Sequence, residues 1–314
     1  MNALFPSFYA LFEQVVDYAG LFPPASLPLE VAIRNFIRYQ AWPEQWMLAR
    51  FIVPVAKLGE LGALMEAGLS WEGTLKFSVL GGGNVEGFRA GVVEEIKAVE
   101  AFRARWGTRV QVEAFEARCP EGKTLFAVEP WLREAGLRPF FEVPFGPGWE
   151  ARVEGVIRAL AEVNGDAGFK LRTGGVTAEA FPSVEQVAWA LCQCQEARVP
   201  IKCTAGLHHP VRCFREEVGT KMHGFLNVWM AGILAWTRGL DQAEVAQILA
   251  EEDPAEFVFS VREAGWRGRR ATKSEVESAR QAFMVSFGSC SFEEPKEDLE
   301  ALGYGLGKSG LIKP

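Results

Sequence analysis

Short apolar runs alternate along the chain with longer segments in which apolar positions recur at helical spacing. In GFRAGVVEEIKAVEAFRARW, for example, Val92, Ile96, Val99 and Phe102 define one face of a helix. Several of these segments end in glycine shortly before the next apolar run, as is usual where a helix ends and a strand begins. The pattern therefore predicts a series of β–α units.

Seven of the apolar runs are predicted to be parallel strands, at 15–20, 49–55, 75–81, 110–118, 138–144, 168–174 and 199–206. An eighth strand is predicted at 282–290 rather than at 223–228, because HGFLNV continues directly into a helical pattern. Eight units joined by right-handed crossovers predict fold class α/β, a closed (β/α)8 TIM barrel. A doubly wound open sheet is the alternative, although no glycine-rich fingerprint follows the first strand.

The domain organisation follows from the same reading. All 314 residues are expected to form one barrel domain, 1–314. The segment 240–280 is predicted to be an insertion of helix and loop between the seventh and eighth strands, with a short edge strand at EFVFSV. The glycine-rich segment 303–314 is predicted to be a flexible tail.

Composition excludes several classes of partner. The net charge of −7 is spread along the chain without a basic run, so we expect no nucleic-acid surface and no acidic-membrane surface. The longest uncharged apolar run, FLNVWMAGILAW, is too short to span a bilayer, and no signal peptide is recognisable at the start. Six unevenly spaced cysteines favour a reducing compartment. We therefore expect a cytoplasmic protein with a small-molecule partner, and homo-oligomerisation is left open.

Polar residues collect where the predicted strands end. TIM-barrel enzymes place their chemistry at the C-terminal ends of the strands, so these residues are candidates for a site. They are Asp17, the loop 81–84, Glu113, Glu116, Arg118, Glu142, Lys170, Arg172, Lys202, Thr204 and the turn 288–291.

Two lysines lie on predicted neighbouring core strands. Strand alternation places Lys170 and Arg172 on one face of their strand, and Lys202 and Thr204 on one face of the next. Repulsion between two partly buried ammonium groups lowers the pKa of at least one of them. A neutral lysine can form a Schiff base with a carbonyl compound. The alternative is that each lysine is ion-paired with Asp17, Glu116 or Glu142.

All three histidines fall within one window, at 208, 209 and 223. We expect His208 to act in acid–base catalysis and His209 and His223 to bind substrate. Alternatively the three hold a divalent metal together with a cysteine or glutamate. Pro210 keeps His209 extended, so the adjacent imidazoles point in opposite directions and a shared ion is strained. We therefore expect no cofactor, and a divalent metal is the alternative.

The turn Gly288-Ser289-Cys290-Ser291 leads from the eighth strand into a helix. Its backbone N–H groups and the hydroxyls of Ser289 and Ser291 are suited to bind an anion such as a phosphate. A plain turn with a serine cap is the alternative reading.

The sequence resembles the class I, Schiff-base deoxyribose-phosphate aldolases. The resemblance lies in Lys170-Leu-Arg-Thr173-Gly174, in Lys202-Cys-Thr-Ala-Gly206 and in the segment 287–291, FGSCS. Weaker similarities are Asp17, Glu113 or Glu116, and Glu142. The stretches DYAGLFPPA, KLRTGG, TAGLHHP, HGFLN and FGSCSFEEP resemble signatures of a bacterial barrel family that itself resembles these aldolases.

The resemblance implies roles for several residues. Lys170 corresponds to the Schiff-base lysine, Lys202 to the second lysine, and an acidic residue to a proton relay. Thr173 and Gly174 belong to the strand-six motif, and Gly206 with Ser289 and Ser291 corresponds to a phosphate site. Tyr304 corresponds to a C-terminal tyrosine. Arg172 departs from the family pattern, where a small polar residue is usual, and this departure implies a different substrate.

Three functions remain open from the sequence. The first is an aldolase-like lyase in which Lys170 forms a Schiff base with a small, sometimes phosphorylated, carbonyl substrate. Lys202 tunes the amine, Glu116, Glu142, Asp17 and His208 move protons, and Arg172, Thr204 and both serines bind substrate. The second is a metal-dependent lyase or hydrolase using the three histidines. The third is a non-catalytic barrel that binds a metabolite.

Overall fold

Eight parallel strands close into a barrel in the computed structural model, which describes residues 4–82, 87–119, 121–163 and 167–304. The strands are β1 (Val16–Tyr18), β2 (Leu48–Pro54), β3 (Leu75–Leu80), β4 (Val110–Arg118), β5 (Arg138–Glu142), β6 (Gly168–Arg172), β7 (Ile201–Thr204) and β13 (Met284–Ser289). Around the barrel the order is β1-β13-β7-β6-β5-β4-β3-β2. The predicted (β/α)8 barrel is confirmed, and each of its strands lies within a predicted run except β2, which begins one residue earlier.

Helices connect the strands and surround the barrel. They are α1 (Pro6–Phe12), α2 (Leu29–Tyr39), α3 (Leu58–Glu66), α4 (Phe88–Trp106), α5 (Leu125–Glu134), α6 (Trp149–Glu162), α7 (Val184–Glu196), α8 (Phe225–Arg238), α9 (Gln242–Ala250), α10 (Lys273–Ala282) and α11 (Glu293–Ala301). Capping boxes begin three of them: Ser183 with Gln186, Asp241 with Glu244, and Thr272 with Glu275.

The segment between β7 and β13 carries additional structure. A hairpin of β8 (Cys213–Arg215) and β9 (Thr220–Met222), which the sequence did not predict, follows β7. HGFLNV enters helix α8, as predicted. Within 240–280, α9 is followed by an antiparallel sheet of β10 (Phe257–Phe259), β11 (Glu263–Trp266) and β12 (Arg269–Thr272). The expected edge strand at EFVFSV is thus one of three paired strands, because its partners follow it closely in sequence.

Strand alternation separates an apolar shell from a polar barrel interior. On β6, Phe169 and Leu171 are fully buried among apolar side chains, while Lys170 and Arg172 face the interior. The interior also holds buried polar side chains from other strands, namely Asp17, Ser78, Glu116, Glu142, Lys202 and Ser286. The helices therefore pack on the outside of the barrel by hydrophobic contact, and these polar and charged side chains lie in its interior.

The predicted tail and the loop after β3 belong only in part to the described residues. Tyr304 stacks on Phe8 of α1, with ring centroids 4.6 Å apart, and also contacts Phe259. Residues 305–314 of the predicted tail lie outside the described residues, as do Gly83 and Asn84 of the loop after β3. Among the described residues, no helix has both the length and the apolar character needed to cross a bilayer.

Candidate active site

Lys170 and Lys202 face each other in register on β6 and β7. The carboxylate of Glu116 on β4 contacts both: Oε2 lies 2.9 Å from Lys170 Nζ, and Oε1 lies 2.7 Å from Lys202 Nζ. All three side chains are nearly or fully excluded from solvent. The arrangement brings together the two strands that the sequence singled out, with an anion between their cations.

Each lysine has a second carboxylate partner. Glu142 Oε2 on β5 lies 3.3 Å from Lys170 Nζ, and Asp17 Oδ2 on β1 contacts Lys202 Nζ. Ser286 Oγ donates a hydrogen bond of 2.6 Å to Asp17 Oδ2. Three carboxylates and two ammonium groups therefore form one continuous network across the barrel.

Arg50 on β2 continues this network below the lysines. Its guanidinium lies 3.4 Å from Asp17 Oδ1 and 2.7 Å from Glu113 Oε2. The β3–β4 ladder shifts its register between Phe77 and Ser78, an irregularity typical of a β-bulge. This shift explains how Glu113 and Glu116, three residues apart, both reach interior cations.

The pKa of Lys170 is raised above its ordinary value, contrary to the expectation from the sequence. Burial by itself lowers this pKa, but the attraction of Glu116 and Glu142 outweighs the loss of solvation. Burial raises the pKa of Glu116, whereas both lysines and the hydroxyl of Ser78 lower it, and the net shift is downward. The expected mutual repulsion is compensated because a carboxylate separates the two lysines. Lys170 is therefore an ammonium in this network.

A cavity of about 440 Å³ opens above this network at the C-terminal ends of the strands. Lys170, Glu116 and Glu142 line it, together with Arg172, Thr204, Gly206 and His208. Lys202 and Asp17 are fully buried beneath it and do not line it. The two lysines are thus inequivalent. A ligand in the cavity can contact Lys170 directly, whereas it interacts with Lys202 only through Glu116.

Two arginines approach Glu142 from the cavity. Arg172 Nη1 lies 3.5 Å and Arg118 Nε lies 3.8 Å from Glu142 Oε1, the oxygen that Lys170 does not contact. Both arginines line the cavity, and about two thirds of the Arg118 side chain is exposed. Glu142 thus separates the lysine from the two guanidinium groups.

Thr173, Gly174 and Gly206 shape the cavity wall where β6 and β7 end. Thr173 Oγ1 donates a hydrogen bond of 2.6 Å to the carbonyl oxygen of Ala205. A Cβ on Gly206 would lie 2.8 Å from the Cα of Gly174, and Gly206 has a φ of +74°. The two backbones approach closely because neither residue has a side chain. Thr173, fully buried, therefore ties the two strand ends together.

The three histidines have separate partners. His208 Nδ1 contacts Glu294 Oε2 at 2.9 Å, and His209 Nδ1 contacts Asp298 Oδ2 at 2.6 Å. Both carboxylates belong to α11. His223 is buried, and its Nε2 donates to the carbonyl oxygen of Pro182 at 2.8 Å. Burial lowers the pKa of His223 from 6.5 to about 4. Only His208 of the three lines the cavity.

The proposed metal arrangement of His208, His209 and His223 is not formed. In the described part of the chain, no group of three or more histidine, cysteine, aspartate or glutamate side chains is placed to hold a metal ion. The rings of His208 and His209 are 6.5 Å apart and bind different carboxylates, while His223 Nδ1 faces Arg212 at 3.5 Å. The three histidines therefore do not share one site among the described residues, and binding of a divalent metal stays a prediction.

The turn after β13 uses its hydroxyls locally. Ser291 Oγ accepts a hydrogen bond from the backbone N–H of Glu294, and Ser289 Oγ accepts one of 3.4 Å from Ser291 N. Glu293 and Glu294 occupy the first turn of α11. The geometry matches the alternative reading, a serine-capped turn, and Gly288 and Cys290 rather than the two serines line the cavity. Anion binding by Ser289 and Ser291 stays a prediction.

Sequence reasoning missed Arg50, Ser78 and Ser286. Each is a polar residue at an interior position of an apolar strand, within ARFIVPV, LKFSVLG and AFMVSFGSC. Ser78 Oγ donates a hydrogen bond of 2.6 Å to Glu116 Oε1. The signal that singled out Lys170, a polar residue in a core strand, would have found all three.

No protein-family profile and no curated protein sequence matches the chain. Among solved structures, the chain is similar to a tetrameric deoxyribose phosphate aldolase from Aeropyrum pernix, with a TM-score of 0.49 and 10% sequence identity over 95% of this chain and 93% of that chain.

Proposed function

We propose that the cavity is the active site of an aldolase-type lyase in which Lys170 forms a Schiff base with a small carbonyl substrate. The observation that carries the proposal is the inequivalence of the paired lysines. Lys170 lines the cavity at the strand ends, while Lys202 lies beneath the cavity. Both lysines contact the carboxylate of Glu116. A buried amine that a ligand can reach, held among groups that move protons, is suited to covalent catalysis.

The ion pairs favour the cationic intermediate of this chemistry. Lys170 starts as an ammonium, and Glu142 Oε2, 3.3 Å away, accepts one proton from it. The neutral amine then attacks the carbonyl carbon to form a carbinolamine. Protonation of the hydroxyl by Glu142 releases water and leaves an iminium ion. The overall step converts an ammonium and a carbonyl into an iminium and water without net proton release, so the cation stays between the same carboxylates throughout.

His208 is the candidate group for the carbon–carbon step. Donation of Nδ1–H to Glu294 leaves Nε2 as the basic nitrogen of a residue that lines the cavity. In aldol cleavage this base removes the proton of a substrate hydroxyl, the carbon–carbon bond breaks, and the iminium accepts the electron pair as an enamine. Condensation is the reverse. Lys202 and Asp17 hold Glu116 in place from below.

Reductive trapping tests the proposal. The protein is incubated with a panel of small aldehydes and ketones and with borohydride, and peptides are analysed by mass spectrometry. We expect a reduced adduct on Lys170 and none on Lys202. Lys170→Arg keeps the cation without a nucleophile and abolishes the adduct, while Lys76→Arg, on β3 outside the cavity, retains it. An unmodified Lys170 across the whole panel would reject the Schiff-base mechanism.

A second candidate function rests on the completeness of the ion pairs. Both lysines contact two carboxylates each, which is also the arrangement expected of a non-catalytic barrel that binds a metabolite. Such a protein would bind a ligand in the cavity without a covalent adduct and without turnover. The same trapping experiment, combined with calorimetric titration of the panel, separates the two functions.

A further inference from the structure

We infer that Arg118 and Arg172 form the binding site for an anionic group of the substrate, so that the ligand is an anionic carbonyl compound with its acid group a few bonds from the carbonyl carbon. This inference rests on the proposed function, since it takes the Lys170 cavity as the substrate site. The two arginines come from β4 and β6 and meet at Glu142.

The guanidinium groups of Arg118 and Arg172 have N–H donors that are not engaged by strong ion pairs. Within the described residues, their ion pairs are both with Glu142 Oε1, at 3.5 Å for Arg172 and 3.8 Å for Arg118. Neither is the short, bidentate contact that a guanidinium makes with a carboxylate. Most of their N–H donors are therefore open to a ligand, and the planar fork of arginine suits carboxylate or phosphate.

The lining of the cavity carries more positive than negative charge. The cavity lining holds the cations Lys170, Arg172 and Arg118 against the carboxylates Glu116 and Glu142. Glu116 is also shared with Lys202 below. The lining therefore has a surplus of positive charge in a partly desolvated space, where attraction for an anion is stronger than in water. The surplus lies on the β4–β6 side of the cavity.

The two arginines also lie beside a second cavity. It has a volume of about 530 Å³ and is lined by Arg118, Arg172, residues 144–148, Trp149 of α6 and Phe181. The arginine pair thus stands at the boundary of two cavities. Because Lys170 and Arg172 contact opposite oxygens of the same carboxylate, an anion bound by the arginines lies close to a carbonyl group at Lys170. Any further substituent of the ligand enters the second cavity.

The opposite side of the cavity is less suited to an anion. The first turn of α11 carries Glu293 and Glu294, and the hydroxyl of Ser291 is engaged by the N–H of Glu294. These carboxylates occupy the electrostatic position at the helix N-terminus that a phosphate would take. The acid group is therefore better placed on the arginines than on the turn after β13.

The test compares matched carbonyl probes and free anions. Glyoxylate and the neutral glycolaldehyde compete for Lys170 under borohydride, and the ratio of the two reduced adducts is measured by mass spectrometry. We expect the wild type to favour glyoxylate, and Arg172→Gln and Arg118→Gln each to reduce this preference by about tenfold, the loss of a charged hydrogen bond. Arg133→Gln, an exposed ion-paired arginine on α5, serves as the control and leaves the ratio unchanged.

Calorimetric titration with acetate and with inorganic phosphate tests the anion site without any covalent step. Binding of either anion that weakens at least tenfold in Arg172→Gln and Arg118→Gln, but not in Arg133→Gln, supports the site even if no adduct forms, in which case only the Schiff-base mechanism fails. The relative affinity of the two anions then separates a carboxylate from a phosphate substrate. Adducts without an anionic preference, or anion binding that survives both substitutions, would overturn the inference and leave the mechanism intact.

Discussion

Lys170 and Lys202 lie opposite each other on adjacent parallel strands, and their ammonium groups are bridged by the two oxygens of the Glu116 carboxylate. The shared carboxylate reverses the expected effect of the lysine pair on the pKa of Lys170. Two adjacent cations alone lower each other's pKa, but two cations that share an anion are each stabilised. The network therefore favours a charged Lys170 and, equally, a charged iminium formed on it.

Removal of the shared carboxylate is expected to destabilise the protein strongly. Glu116→Gln leaves two buried ammonium groups in register with one carboxylate fewer, and loss of one partner from a buried ion pair costs about 3–5 kcal/mol. Glu113→Gln is the matched control, since Glu113 is partly exposed and bridges Arg50 and Lys76. Urea denaturation measures the free energy of unfolding of both variants. Equal losses in the two would contradict the central place of Glu116.

The pH dependence of adduct formation distinguishes internal from external proton transfer. If Glu142 accepts the proton of Lys170, the rate of trapping by excess cyanoborohydride varies little with pH below the raised pKa of Lys170. In Glu142→Gln the remaining carboxylate, Glu116, is held by Lys202 and Ser78, so we expect the proton to leave to solvent and the rate to rise about tenfold for each pH unit until the lysine is neutral. Rates are normalised to Glu113→Gln at each pH. A steep profile in the wild type would remove Glu142 from this role.

The raised pKa of Lys170 makes the stability of the folded chain depend on pH in the alkaline range. Because the pKa is higher in the folded chain than its ordinary value of 10.5, the ion pairs contribute fully below 10.5, and the contribution is lost as the pH rises through the folded value. We expect the free energy of unfolding to fall at strongly alkaline pH. Lys170→Met should flatten this alkaline loss, and an unchanged profile in that variant would assign the loss to other groups.

His223 predicts an acid-side loss of stability. Burial lowers its pKa from 6.5 to about 4, so the unfolded chain binds more protons than the folded chain between these values. Stability therefore decreases as the pH falls from 6.5 towards 4, by about 3 kcal/mol in total. His223→Gln, which can still donate to Pro182, should reduce this slope. His208→Gln is the control, and the same slope in both variants would exclude His223 as the cause.

The close approach of Gly174 and Gly206 predicts a local sensitivity. Gly206→Ala places a Cβ 2.8 Å from the Cα of Gly174 at a φ of +74°, which costs about 1–3 kcal/mol and displaces the ends of β6 and β7. Gly219→Ala, at a φ of +66° with open space around it, carries the backbone strain alone. We expect lower stability and slower trapping at Lys170 in Gly206→Ala than in Gly219→Ala. Indistinguishable variants would show that the strand ends tolerate separation.

Much of the fold was determined by the sequence alone. Apolar runs of strand length between segments of helical period predicted all eight barrel strands. This signal is local, since burial periodicity depends on residues close in the chain. The hairpin β8–β9 and the strands β11 and β12 were missed because these short strands are not strongly alternating and depend on pairing with their neighbours.

The candidate site was determined by the sequence only as a set of residue types at the strand ends. That Lys170 and Lys202 would be in register followed from alternation and neighbouring order, but the position of Glu116 between them required the tertiary structure. The pKa of a buried lysine depends on the nearest opposite charge within a few ångströms, and that charge comes from a strand more than fifty residues away. For the same reason the sequence grouped three histidines by proximity along the chain, whereas the folded chain gave each a different partner.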